Sequence, residues 1–94
     1  MKNNFDESSD EGAVRRRRER CMELSAMFKE QKSGSPSILN SILAKFSLQE
    51  GVTHRRAKEY FNLLVSAKLI VWKYGRKRWE YNKDAEWELY RIEI

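Results

Sequence analysis

The chain predicts an α+β domain in which helices lead into a two-stranded β-hairpin, and two changes of period carry that expectation. Between residues 53 and 68, Ala57, Tyr60, Phe61 and Leu64 recur at helical spacing and fall on one side of a helix. After Lys68 the period becomes two. Ile70, Trp72 and Tyr74 alternate with Val71 and Lys73, Gly75-Arg76-Lys77-Arg78 interrupts, and Trp79 and Tyr81 alternate with Glu80 and Asn82. A loop of two or four residues centred between Arg76 and Lys77 sets Tyr74 opposite Trp79 and Trp72 opposite Tyr81, with all four aromatics on one face.

The other elements follow in order. Residues 1–13 are polar, acidic and rich in Ser and Asn, a composition that buries too little to offset ordering entropy, and are expected to form a disordered tail. Residues 14–32 contain strong helix formers with no Gly or Pro, and place Cys21, Leu24 and Phe28 on one stripe with Met22 and Met27 beside it. Arg15, Arg16, Arg17, Arg18 and Arg20 crowd the start of this extended first helix, the unfavourable end of its dipole unless an anion or Glu19 and Glu23 offset them. The run reads equally as an arm along a phosphate backbone or as a solvated helix end. Ser33-Gly34-Ser35-Pro36 breaks the chain. Ser35 and Pro36 then suit the N-cap and first position of a second helix, whose Ile38, Leu39, Ile42, Leu43 and Phe46 form a wide apolar face. Residues 47–52 turn, with Gly51 suited to positive φ and Thr53 placed to cap the third helix. Two helices joined by a turn containing Gly make a helix-turn-helix. Residues 83–94 fit neither period cleanly. A short helix capped by Asp84 is the favoured form.

The totals bound the function. Ninety-four residues make one small domain, expected over residues 14–94, with 40% hydrophobic, 12% aromatic and 35% charged residues. The first thirteen residues hold one Lys against four acids, leaving 18 basic and 10 acidic residues in the remainder. So basic a domain suits a polyanion such as nucleic acid, although an anionic membrane surface would also attract it. Few large apolar residues accompany the Arg run, which argues against membrane binding. A single Cys and an acidic start without an apolar signal core point to a soluble, intracellular, cytoplasmic chain. With one His, one Cys and no carboxylate pair or Gly-rich loop at a diagnostic spacing, neither a metal site nor an activated nucleophile assembles. No enzyme activity and no cofactor are expected. His54 reads as a polar residue at a helix N-terminus.

Helix, helix, turn, helix and a basic-tipped hairpin in this order resemble the winged-helix DNA-binding superfamily over residues 36–82. The most specific part is Glu50-Gly51-Val52-Thr53 leading into Arg55, Arg56 and Lys58, followed by Ala67-Lys68-Leu69-Ile70-Val71, which looks like the turn, recognition helix and first wing strand of small bacterial, archaeal or viral regulators. The resemblance implies a transcription regulator that binds double-stranded DNA as a homodimer, nucleoid-associated in the cytoplasm, with helix 53–68 in the major groove and hairpin 69–82 on the backbone. By position, Arg55, Lys58 and Asn62, together with His54, Arg56 and Glu59, would face DNA, with Lys73, Arg76, Lys77 and Arg78 on the wing. Glu50 stands where a tight turn often has an apolar residue, so a longer turn with Leu48 inward is expected.

Physical chemistry supports the same surface. Arg engages guanine O6 and N7 in a bidentate pair and Asn engages adenine, which makes Arg55 and Asn62 the base readers. Lys58, Arg56 and the wing cations neutralise phosphates. The stripe of Cys21, Leu24 and Phe28 is the candidate dimer interface, with an intermolecular Cys21 disulfide as one outcome. The competing readings are an assembly adaptor of the same fold and an RNA or single-strand binder. Trp72, Tyr74, Trp79 and Tyr81 could stack unpaired bases, but packing the inner face of the sheet is their favoured role.

Overall fold

The computed structural model of the chain describes the backbone of residues 2–91 and the side chains of residues 12–89. The elements run α1 (Lys2–Gln31), β1 (Ser33–Gly34), α2 (Pro36–Glu50), α3 (His54–Ser66), β2 (Ile70–Lys73), β3 (Arg78–Tyr81) and a closing 3-10 helix (Lys83–Arg91). Among the described residues four helices thus accompany one antiparallel three-stranded sheet of order β1-β3-β2, an α+β arrangement.

The α1 helix takes in residues 2–13, which composition assigns to a disordered tail. No Pro interrupts that stretch. The first core residue, among those whose side chains are described, is Cys21. Cys21, Leu24 and Phe28 are all essentially buried and join Leu43, Phe46, Ala57, Tyr60, Leu64, Leu69, Ile70 and Trp79 in one cluster. This corrects the dimer-interface expectation: the chain covers the stripe with its own α2, α3 and sheet. Burial also raises the Cys21 thiol to about 11, so the thiolate that disulfide exchange requires is suppressed.

The caps of α2 and α3 follow from their residues. Ser35 accepts from the Ile38 N–H at 3.4 Å with Pro36 behind it, and Gly51 takes φ 65° at the C-terminus, where the Ser47 carbonyl accepts from Val52 N–H at 3.1 Å. The Ser47 hydroxyl donates to the Val52 carbonyl. The link to α3 is therefore only Gly51-Val52-Thr53, not the longer turn expected. Leu48 points outward, 86% exposed, because the helix continues to Glu50, while Val52 packs partly against the core in its place. Thr53 accepts from Arg56 N–H at 3.1 Å and caps α3. At the other end, Leu69 N–H donates to Leu64 O and Lys68 N–H to Val65 O, each at 3.0 Å, with Lys68 at φ 63°. This is the paired bonding that commonly closes a helix on a left-handed residue, here a Lys in a Gly position.

The hairpin register differs from the expected one by two residues. Trp72 faces Trp79, Ile70 faces Tyr81 and Lys73 faces Arg78, so the loop comprises residues 74–77 and lies one residue earlier. Arg76 N–H to Lys73 O (3.1 Å) and Lys77 N–H to Tyr74 O (3.3 Å) close it, with Lys77 at φ 50° as the left-handed residue. An even shift preserves the inner face, since only an odd slip exchanges faces. It does move Tyr74 out of the ladder, leaving the ring 83% exposed.

Trp79 sets this register. Its indole is fully buried, stands edge-on to Phe28 with centroids 4.9 Å apart, and donates Nε1–H to the Ser35 carbonyl at 3.2 Å. The residues expected to be only a break form β1, which pairs Gly34 with Trp79 and Ser33 with Glu80. Tyr81 N–H extends that ladder to the Lys32 carbonyl at 2.8 Å. After β3, the side chain of Asn82, rather than of Asp84, caps the 3-10 helix by accepting from Asp84 N–H at 3.2 Å. Ala85 and Leu89 of that helix reach the core, and Glu86 pairs with Lys29 of α1 at 3.1 Å.

Candidate nucleic-acid interface

Burial of Ala57, Tyr60 and Leu64 against the core fixes which side of α3 faces outward. Arg55, Asn62 and Ser66 fall nearly opposite those three at about 100° per residue, with Lys58 and Glu59 flanking the line. His54, Arg55, Arg56, Lys58, Glu59 and Asn62 are all exposed. Their charges are not equivalent. Arg56 Nη1 lies 3.2 Å from Glu59 Oε2, with both side chains half exposed, so the charge of Arg56 is offset by its neighbour and Glu59 is occupied. Among the described residues, the side chains of Arg55, Lys58 and Asn62 take part in no intramolecular hydrogen bond or ion pair.

The hairpin leaves the body close to the C-terminus of α3. Asn82 donates from its side chain to the Lys68 carbonyl (3.1 Å) and from its backbone to the Leu69 carbonyl (2.7 Å), fastening the base of the hairpin to the helix end. Lys73, Arg76 and Lys77 are exposed around the loop, whereas Arg78 is not a tip residue. It sits in β3, half-buried, and donates from Nη2 to the Ser33 hydroxyl at 2.6 Å. Forty-five positions separate these partners, so only the unforeseen β1 could have revealed that anchor. Of the expected wing cations, three are therefore available to a ligand and one holds the hairpin to the body.

The arginine run lies on α1 ahead of its first core residue. Arg15, Arg16 and Arg18 are exposed, while Arg17 and Arg20 are half-buried. No helix among the described residues is long and apolar enough to cross a membrane. Nor do three or more His, Cys, Asp or Glu side chains among them gather as metal ligands. One further group is shifted. Burial, the Glu86 charge and a hydrogen bond to Glu86 push the Tyr81 hydroxyl up to about 12. That is a packing effect on the inner side of the hairpin. Comparison with protein-family models, curated proteins and solved structures finds no match to this chain.

Proposed function

We propose that the chain is a winged-helix DNA-binding regulator that places α3 in the major groove of duplex DNA and its hairpin along the backbone. The observation that carries this reading is the outward face of α3, where Arg55, Lys58 and Asn62 stand exposed and unpaired while the hairpin base is fastened to the end of the same helix. Arg55 and Asn62 supply bidentate donors and acceptors for base edges, and Lys58, Lys73, Arg76 and Lys77 supply phosphate contacts. Arg15, Arg16 and Arg18 extend the cationic surface along α1. Two copies reading a two-fold site complete the proposal, using a contact surface other than the covered stripe of Cys21, Leu24 and Phe28.

A second reading, an assembly adaptor, is favoured by Leu48 and Val65, which leave 86% and 43% of their surfaces exposed. A gel-shift series at about 150 mM salt separates the two. Random duplex, single strands and RNA of one length are compared, followed by selection from a random duplex pool. The DNA reading expects duplex to bind tightest and selection to return a consensus that Arg55→Ala blurs. Absence of duplex binding even at low salt would overturn it in favour of the adaptor.

A further inference from the structure

We propose that the hairpin tip is a base-stacking site, in which Tyr74 stacks on an unpaired DNA base while Lys73, Arg76 and Lys77 hold the adjoining phosphates. This goes beyond the duplex reading but rests on the same ligand class. Among the described residues Tyr74 is the second most exposed of the large hydrophobic side chains, at 83%, yet its ring is positioned. It lies tilted 75° to Trp72 with centroids 6.4 Å apart, and Trp72 is itself half-buried against the core. One side of the ring is thereby supported and the rest is open. Beside it is a recess lined by Trp72, Lys73, Tyr74, Gly75, Arg76 and Glu80.

That composition selects its occupant. Every base offers a π-face, so an aromatic ring among cations binds a nucleic acid strand with little sequence preference. The three cations favour a polyanion over an apolar protein surface, and the ring's own exposure leaves it open to a ligand. Glu80, half-buried at the edge of the recess, is an acceptor for a base's exocyclic amine. In a fully paired duplex the bases are already stacked on one another, so the ring gains an unpaired partner only at a fork or an overhang.

The test measures the full chain against a blunt duplex and against the same duplex carrying a short single-strand overhang with 2-aminopurine at its first unpaired position. The parent is expected to bind the overhang substrate more tightly and to quench the 2-aminopurine fluorescence. Tyr74→Ala should lose roughly tenfold in overhang affinity together with the quench, Tyr74→Phe should keep both, and blunt-duplex affinity should be the same for all three. Tyr74→Ala retaining the parent's overhang affinity and quench overturns the stacking site and leaves the duplex reading standing. Quenched overhang binding without any blunt-duplex binding supports the stacking site and removes the duplex reading. A parent that binds neither substrate overturns both.

Discussion

Gly34→Ala should cost about 2 kcal/mol of stability, because the glycine seats the hairpin on the helical body. A Cβ built at Gly34 would lie 3.0 Å from Ile38 Cγ2, 3.1 Å from Ile38 Cβ and 3.2 Å from Trp79 Cζ2. None of these can swing aside cheaply. The Ile38 Cβ is fixed to the first turn of α2, and Trp79 is held by its bond to Ser35 and its edge contact with Phe28. The strand must move instead, loosening the Gly34 and Trp79 pairing. Overpacking of this kind typically costs about 1–3 kcal/mol, which for a chain of this size is a fall of roughly 4–24 °C in Tm. Ile38→Ala in the same chain should recover only part of the loss, since the Cβ of residue 38 and the indole edge remain. Gly75→Ala is the control. Nothing lies within 4 Å of its Cβ and its φ is not positive, so it should be neutral or stabilising by a few tenths of a kcal/mol. Urea unfolding followed by far-ultraviolet circular dichroism and Trp fluorescence reads all of these. If Gly34→Ala unfolds within about 0.5 kcal/mol of the parent, the account of how the sheet is seated is wrong.

Other outcomes follow from single observations. Lys68→Gly, at φ 63°, should raise stability by about 1 kcal/mol in the same urea assay. Arg55→Ala should reduce discrimination between a selected duplex and random duplex by about 1–3 kcal/mol, whereas an equal loss on both would make Arg55 a phosphate contact. Arg76→Gln with Lys77→Gln should flatten the slope of log K against log salt by about 2 units, at about 0.9 per phosphate contact, and leave the fold intact. Arg78→Gln should instead lower stability through the lost bond to Ser33. In alkali, Cys21 and Tyr81 both hold their protons longer folded than unfolded, so the folded state binds more protons and stability falls as pH rises. For Cys21 the loss begins near its ordinary value of 9.0, is complete near 11 and amounts to roughly 2–3 kcal/mol. Cys21→Ala should therefore flatten the stability profile between those limits.

What the sequence discloses tracks how locally each feature is determined. Ser35, Pro36, Gly51 and Thr53 announce the ends of α2 and α3 because a cap is satisfied within three or four residues of itself. The outward face of α3 is legible for the same reason: once Ala57, Tyr60 and Leu64 go inward, the positions of Arg55 and Asn62 follow from helix geometry alone. Strand β1 was not legible. Two residues, Ser and Gly, have no period, and they become a strand only because β3 lies alongside. The anchoring of Arg78 by Ser33 inherits that blindness, and so does the exclusion of Arg78 from the tip.

The hairpin register shows why the remainder of the site needed the fold. Both registers keep the same alternation, put aromatics on the same face and make acceptable turns, so pairing rules within the hairpin cannot separate them. The decision is made outside it, by the place that Gly34, Ser35 and Phe28 provide for the Trp79 indole. Opposing Trp79 with Trp72 leaves Tyr74 without a cross-strand partner, and the loop closes on Lys77 in the left-handed conformation. The consequence reaches function. An aromatic residue that the sequence reads as core becomes an exposed ring among cations, and a cation that it reads as tip becomes part of the scaffold. Under the proposed stacking, the tip's binding chemistry depends on how Trp79 is seated in β3. Loosening that seat with Gly34→Ala should then weaken overhang binding more than blunt-duplex binding, even though Gly34 touches neither Tyr74 nor DNA. Equal weakening of both would uncouple the register from the site.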